Sequence, residues 1–516
     1  QAFTRRNGTI YCLFDGLPDF PDGLKISALR RAELFHTYLS TDICILTHLY
    51  QNTLFELFVE NCKLKRLSQA TYMNMYDAFQ GINRNRLPPA PVDIPSYFGK
   101  RRVIPVPGKP DYVITNTGKA GTLYLVVDPK NKKLRAIEHM DKKGRRFQRD
   151  FYDTYGFLSR SDFLDIATEK IKYSTFHRAD ATKSIAIREE YDTTKDKQTL
   201  KKMQLIDVSG RVYAEFTNYR DAIAYWMSLI TQDQQKTFIV FGDNREEYLH
   251  LFKEARVPGK YENCILLQII HNNTIGVEYL MNGDDDYLTL PTGELYNFLY
   301  DLNVRCDEII TLTNRQKAHL AERYGLNNLS VVAHAFPKED LPETVHPATY
   351  DPYMVIHVGR LADQKCHEQA IEAFKRVVRV LPQAHLHFYG VGPLGNRLLQ
   401  RVQQEGLQRN IRFEGFHTNM AEVYDKAACM LVTSVFEGFS LVNLEAISHG
   451  CPVVSVDCDY GQAAMIEDGV NGLISPLGDV GALAQNVIRI LTDRELRIRL
   501  SEGCRPSMEK FSEAVI

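Results

Sequence analysis

Val435-Phe-Glu-Gly-Phe-Ser-Leu-Val-Asn-Leu-Glu445-Ala-Ile-Ser-His-Gly450 lies between two short apolar runs, Cys429-Met-Leu-Val-Thr-Ser434 and Pro452-Val-Val-Ser-Val456. Both runs are rich in β-branched residues and bounded by turn residues, the pattern of strands buried on both faces of a parallel sheet. Between them, Phe439 to His449 predicts about three helical turns, with Gly450 as the C-cap. Glu437 then falls in the strand-to-helix loop and Glu445 about two turns into the helix.

That spacing suits a nucleotide-sugar. The N–H groups of Gly438, Phe439, Ser440 and Leu441 at a helix N-terminus can face an anion. A carboxylate further along can accept from vicinal ribose hydroxyls, and the loop acid can hold hydroxyls of a sugar. An acidic loop beside a solvent-facing glutamate is the plainer reading of the pair taken alone. The surrounding sequence argues against it.

Upstream, strand and helix alternate. Strand Tyr353–Val358 leads into Gly359-Arg-Leu-Ala-Asp-Gln-Lys365. A helix follows on which Ala370, Ile371, Phe374, Val377, Val378 and Leu381 recur at helical spacing. Strand His385–Tyr389, the turn Gly390-Val-Gly-Pro393, a helix to Glu405, strand Ile411–Phe416 and the short helix Met420–Ala427 complete a doubly wound α/β domain over 350–500. Its ligand belongs at the carboxyl ends of the strands, where Arg360, Gly390 and Glu437 fall. Residues 501–516 read as a C-terminal helix that crosses back.

The N-terminal part starts alike, with strand Thr9–Phe14, the loop to Gly23, helix Ile26–Leu39 and strand Ile43–Thr47. It resumes with helix Arg220–Thr231 and strands Thr237–Phe241, Cys264–Ile270 and Glu308–Leu312. A second α/β domain, 1–87 and 217–349, is therefore split by an insertion, 88–216. The insertion alternates with period two between turns such as Asp141-Lys-Lys-Gly144 and Asp207-Val-Ser-Gly210, an antiparallel meander. The fold expected is α/β, two Rossmann-like domains facing a cleft with a β-rich insertion in the first.

No apolar run reaches the roughly 18 residues of a membrane helix, and no charged-then-apolar leader opens the chain. The 10 cysteines form no CxxC pair and sit mostly in apolar runs, as reduced core thiols do. A cytoplasmic protein is expected, working near the inner face of the membrane. From Lys100 to Arg149 there are 14 Lys or Arg against 4 Asp or Glu, although the whole chain carries a net charge of −2.

Taking a glycosyl group off a nucleoside diphosphate requires stabilising the departing charge, by fixed cations or a metal. Arg360 and Lys365, directly after a strand, are placed to be those cations. Asp284-Asp285-Asp286 is read as an acidic surface turn and not as a metal site.

Gly359-Arg-Leu through Lys365, Tyr389-Gly-Val-Gly-Pro393, and Glu437-Gly-Phe-Ser-Leu through Glu445-Ala446 together resemble the retaining glycosyltransferases of the GT-B fold, family 4. The likeness runs through nearly the whole C-terminal domain. It implies that Arg360 and Lys365, with Gly359 and Gly390 beside them, bind the donor diphosphate, that Glu437 contacts the donor sugar and that Glu445 contacts the ribose. Gly23 would approach the phosphates from the other domain. It also implies retention at the anomeric carbon, α-linkages, no metal and no cofactor beyond the UDP-sugar itself. No carboxylate stands out as a covalent nucleophile, so front-face displacement is the expected course.

The split N-terminal domain narrows the resemblance to a bacterial subgroup. It contains wall teichoic acid α-glycosyltransferases acting on poly(glycerol phosphate) or poly(ribitol phosphate), and protein O-GlcNAc transferases that modify serine-rich adhesins. In this subgroup His271, in Gln268-Ile-Ile-His-Asn-Asn273, matches the histidine facing the reacting sugar. The inserted domain serves acceptor binding or assembly, which implies a homo-oligomer formed through it. One position departs from the pattern. A glutamate common in the family is Ala464 here, which bears on the loop near the donor phosphates.

Lys100, Arg101, Arg102, Lys130, Lys132, Lys133, Lys142, Lys143, Arg145 and Arg146 cluster at the tips and starts of the hairpins. Such a block attracts a polyanion. The expected substrates are therefore UDP-glucose or UDP-N-acetylglucosamine and a teichoic acid polymer. A serine-rich protein acceptor and a non-catalytic GT-B partner subunit are the alternatives. The latter would have lost Arg360, Lys365 or one of the two glutamates, and all four are present. Nucleic acid is not an expected partner, since no recognition module accompanies the basic block.

Overall fold

The computed structural model describes residues 9–14, 29, 31–34, 42–50, 70–83, 104–108, 111–114, 121–128, 133–153, 156–179, 184–194, 199–232, 238–242, 264–270, 306–336, 350–417 and 419–512. The chain divides into two compact units. One is Gln1–Leu267 with Arg305–Asp307, and the other is Gln268–Val304 with Glu308–Ile516.

The first unit opens as its sequence predicts. Thr9–Phe14 pairs in parallel with Asp42–Thr47 on one side and Phe238–Gly242 on the other, and Asp42–Thr47 pairs in turn with Thr71–Asn74. Ile10, Cys12, Ile43 and Ile45 are buried, as are their neighbours Tyr11, Leu13, Cys44 and Leu46, so both strands are covered on both faces. Asn74 ends the last strand and caps the helix Met75–Gln80. Its carboxamide oxygen accepts from the N–H groups of Tyr76 at 2.9 Å and Asp77 at 3.2 Å.

The insertion is a ten-stranded antiparallel sheet from Ile104–Pro105 to Val212–Phe216, each strand paired with the next along the chain. Two of its turns share one design. Asp141 accepts from the N–H groups of Lys143 and Arg145, and Asp207 from those of Ser209 and Arg211. In each, a glycine four positions into the turn, Gly144 or Gly210, takes positive φ.

One sheet face closes on the helix Met75–Gln80. Phe176 packs against Tyr76 with ring centroids 4.7 Å apart and against Tyr50 at 5.1 Å. Arg160 lies over the rings of Phe176 and Tyr50, each 5.3 Å away, and is paired with Asp162 at 2.6 Å. Buried Glu189 accepts from the hydroxyls of Tyr76 at 2.6 Å, Tyr219 at 3.3 Å, and Tyr191. Burial pushes its carboxyl up, against the pull of these hydroxyls and Arg160. Gln80 Nε2 donates to the carbonyls of Ser159 and His177. The contact is thus aromatic at its centre and hydrogen-bonded around it.

In the second unit, Glu308–Thr311 and Leu329–Val331 pair in parallel around the helix Asn314–Tyr324, which Thr313 caps and Gly325 ends. A separate sheet has six parallel strands in the order Ile411–Gly415, His385–Tyr389, Met354–Val358, Cys429–Val432, Val453–Val456, Gly472–Ser475. The helix His367–Val380 covers it through Ala370, Ile371, Phe374 and Val377, the periodic residues of the sequence. After the helix Arg494–Ser507, the Phe511 carbonyl accepts from Phe336 N–H at 2.8 Å. Among the described residues no helix is long and apolar enough to cross a membrane.

Phe176→Ala removes the ring between Tyr76 and Tyr50. The loss expected is about 3–5 kcal/mol, read as a lowered denaturant midpoint that follows tyrosine fluorescence.

Candidate active site

Strand order in the six-stranded sheet reverses at Met354–Val358. From there the chain proceeds outward through His385–Tyr389 to Ile411–Gly415, then returns to Cys429–Val432 on the opposite side. Ligands of open α/β sheets bind outside the carboxyl ends of the strands at such a reversal. Gly359–Lys365 follows one of the two strands and Thr433–Glu437 the other.

The loops at this point are joined backbone to backbone. Gly359 N–H donates to Tyr389 O at 3.0 Å, Leu361 N–H to Val391 O at 3.1 Å, and Gly390 N–H to Gly415 O at 2.8 Å. Gly390, at φ 141°, is so close that a Cβ there would stand 2.0 Å from the Gly359 carbonyl oxygen. Only glycine permits this approach.

Across the reversal, Val435 N–H donates to Gln364 O and Gln364 Nε2 to Phe436 O, each at 3.0 Å. Thr433 Oγ1 donates to Lys365 O at 2.7 Å. This places Lys365 Nζ in an ion pair with Glu437 Oε1. Glu437 is 6% exposed, and a carboxylate so buried requires such a partner. Arg360 points into solvent and forms no ion pair among the described residues.

Glu437 belongs to a two-residue strand, Phe436–Glu437, paired in parallel with Asp459–Tyr460. The helix beyond is therefore Leu441–Ser448, shorter than its sequence predicts, and Glu445 sits little more than one turn into it. Tyr424 Oη donates to Glu445 Oε2 at 3.0 Å, and burial with the adjacent carboxylate holds the Tyr424 phenol well above its usual range. Gly438, Phe439 and Ser440 are buried and Leu441 is half-buried; Gly450, at φ 67°, follows the helix end.

Several polar groups here had no signal in the sequence. The Ser434 and Ser440 hydroxyls and the Asn443 and Gln462 amides are buried without a hydrogen-bond partner among the described residues. Tyr460 is buried at φ 71°, a conformation costing a non-glycine residue about 1–3 kcal/mol. Ala464, the departure from the family pattern, is half-buried on the short helix Gly461–Met465.

Behind the Lys365 loop lie two histidines. Burial, His367 and Lys365 hold His357 well below its ordinary range. Burial and Lys365 lower His367 to about 4. Both are neutral at physiological pH, so they add no charge to the site.

Gly23, His271, the Asp284–Asp286 run, Lys100, Arg101, Arg102, Lys130 and Lys132 lie outside the described residues. Of the basic residues that are described, Arg145 is paired with Asp141 at 2.8 Å and Arg146 with Glu138 at 3.4 Å, where Arg149 joins it. Lys142 and Lys143 stand exposed at the tip of that hairpin, and Lys133 directly precedes its first strand, Leu134–Met140.

Residues 319–505 match the family model for glycosyl transferases group 1. The poly(glycerol-phosphate) alpha-glucosyltransferase of Bacillus subtilis (strain 168) is 24% identical over 523 residues, spanning 97% of this chain and 72% of that protein. The pneumococcal O-GlcNAc transferase GtfA, solved with UDP and GlcNAc, matches with a TM-score of 0.79 at 18% identity, covering 99% of this chain and 97% of its own. TarM matches at 0.77 and 17% identity, covering 98% and 97%. The fold is that of the GT-B enzymes. Similar solved structures also include the GtfA/B complex and the three-component accessory secretory protein and Gap123 complexes. These assemblies are heteromeric, which overturns the expectation of a homo-oligomer built through the inserted domain.

Gly390→Ala should force the Gly359 carbonyl away and cost about 1–3 kcal/mol, read as a lowered denaturant midpoint. The histidines give a pH signature. His367 is neutral when folded and takes a proton near 6.5 when unfolded, so its contribution is present above that pH. It is lost as pH falls towards about 4, and amounts to about 3 kcal/mol in all. His357 acts in the same direction. Denaturation between pH 7 and 4 should show a steeper decline for the native chain than for His367→Gln.

Proposed function

We propose that this chain, a glycosyltransferase of the GT-B fold, moves glucose or N-acetylglucosamine from a UDP-sugar onto the polyol-phosphate repeats of wall teichoic acid. The observation carrying the proposal is Glu437, buried at the strand reversal and neutralised by Lys365, with Glu445 on the next helix. The acceptor class rests on the likeness to the Bacillus subtilis poly(glycerol-phosphate) enzyme along 97% of the chain.

In this reading Arg360 and Lys365 take up the diphosphate charge beside the close-packed backbone of Gly359 and Gly390, aided by the N–H groups of Gly438 to Leu441. Glu437 orients the sugar hydroxyls, Glu445 holds the ribose and His271 supports the reacting face. An acceptor hydroxyl attacks the anomeric carbon from the side the diphosphate leaves. The C1–O bond to the β-phosphate breaks as the new C1–O bond forms, and the hydroxyl proton passes to the departing phosphate. The configuration at C1 is retained. No metal enters this scheme.

The domain roles belong to the same proposal: 350–500 binds the donor, 1–87 with 217–349 faces the acceptor, and 88–216 holds the polymer. Lys142 and Lys143 are the described hairpin-tip cations not tied to a carboxylate. They supply the long-range attraction for a polyphosphate.

UDP release from UDP-glucose and UDP-N-acetylglucosamine tests the proposal, with poly(glycerol phosphate), poly(ribitol phosphate) or a serine-rich polypeptide as acceptor. Polymer-dependent release that survives EDTA and falls at least about 100-fold in Glu437→Gln is expected. Release with the polypeptide alone would move the acceptor to protein, and silence with every pair would refute transfer. Lys142→Ala/Lys143→Ala should raise KM for the polymer, most at low salt, and leave kcat unchanged.

A further inference from the structure

We infer that the helix Asn314–Tyr324 is a positioning element for the reaction and that it acts on Glu437 through His319 and Tyr460. The inference rests on the donor-site reading above and extends it to residues outside that site.

Three observations carry it. First, Tyr460 keeps its positive φ although glycine would take it freely and Gly461 is the next residue. A non-glycine residue persists there only where its surroundings fix it. Second, the fixing contacts are identifiable. The ring is 1% exposed, its hydroxyl is hydrogen-bonded to His319 Nδ1, and its backbone pairs with Glu437. Third, the loop presses directly on the acid. A Cβ at Gly461 would lie 3.0 Å from Glu437 Cβ and 3.3 Å from Ser440 N. Shifting Tyr460 therefore shifts Glu437.

The helix holds this loop at two points. Arg315 and His319, four residues apart and so on one face, reach Asp457 at 3.6 Å and Tyr460. Its base is anchored by buried Gln316, whose Oε1 accepts from Leu312 N–H at 2.9 Å and whose Nε2 donates to Ile270 O at 3.2 Å. Ile270 directly precedes His271. One helix thus sets the end of the strand Cys264–Ile270 and the loop bracing Glu437. Tyr460 and His319 are positioning residues and touch neither donor nor acceptor in this account.

The test compares Tyr460→Phe, His319→Leu, His319→Asn and the Tyr460→Phe/His319→Leu double variant. It reads kcat, donor KM, and calorimetric Kd for UDP and for UDP-glucose and UDP-N-acetylglucosamine. Tyr460→Phe and His319→Leu should each lower kcat at least about tenfold. They should weaken the bound UDP-sugar while leaving UDP affinity within about twofold, since only the sugar meets Glu437. The double variant should be no worse than either single one, because both break the same link. His319→Asn, which keeps a polar group near the Nδ1 position, should recover most of the loss.

A Tyr460→Phe enzyme matching the native one, equal weakening of UDP and UDP-sugar, or additive losses would overturn the inference. If Tyr460→Phe lowers the melting temperature by more than about 5 °C, the His319 pair decides, because that side chain is only half-buried. A native protein that binds UDP-sugar but transfers nothing refutes the transfer reading alone, as the affinity ratio still tests the brace. One that binds neither nucleotide refutes both.

Discussion

The strand-reversal end of the second unit depends on pairing one carboxylate where water barely reaches. Removing the partner of a buried charge costs about 3–5 kcal/mol, so Glu437 commits the chain to delivering Lys365 to one place. The Gly359–Lys365 loop does this through contacts that do not involve the Lys365 side chain. The Gln364 carbonyl accepts from Val435 N–H, its side-chain Nε2 donates to the Phe436 carbonyl, and the Lys365 carbonyl accepts from Thr433 Oγ1. Cys366, the next residue, takes φ 45° to turn the chain into the helix His367–Val380. His357 and His367 sit behind the lysine as neutral, desolvated rings. A charged imidazole there would oppose the ammonium.

Much of this arrangement was legible because the sheet is buried on both faces. Strands such as Thr9–Phe14, Cys264–Ile270 and His385–Tyr389 begin and end where their apolar runs do. Helix His367–Val380 buries the residues its period marks. Local signals failed where a partner distant in sequence decides the structure. Phe439 and Ser440 look helical, yet the chain first pairs Phe436–Glu437 with Asp459–Tyr460, and the helix starts later. Asn314–Tyr324 has a weak apolar stripe, burying only Gln316 and Leu320 as its core residues, and was not predicted. Its amphipathic signal is faint because its work is polar, through Arg315, Gln316 and His319.

Charge counting met the same limit. Between Lys100 and Arg149 the surplus of cations is real, but a count along the chain cannot see which of them a neighbouring strand neutralises. Register sets Glu138 opposite Arg149, with Arg146 opposite Met140 two positions along past a bulge, and the Asp141 turn folds back onto Arg145. Buried Glu138 thereby serves two arginines. The positive potential of this hairpin comes from Lys142 and Lys143 at its tip and less from the block as a whole.

The same accounting bears on how the proposed donor would bind. Lys365 and Glu437 cancel, so the standing positive charge at the strand reversal is Arg360 together with the N–H groups at the start of the helix Leu441–Ser448. An exposed pair with one arginine contributes only about 0–1 kcal/mol. A bound UDP-sugar gains more where Lys365 is shared between phosphate and Glu437. A sugar hydroxyl donating to Glu437 makes that sharing possible by supplying part of the stabilisation the lysine withdraws. UDP alone lacks that hydroxyl and leaves Lys365 with Glu437, so the sharing of the ammonium, and with it the placement of Glu437, matters once the sugar is bound.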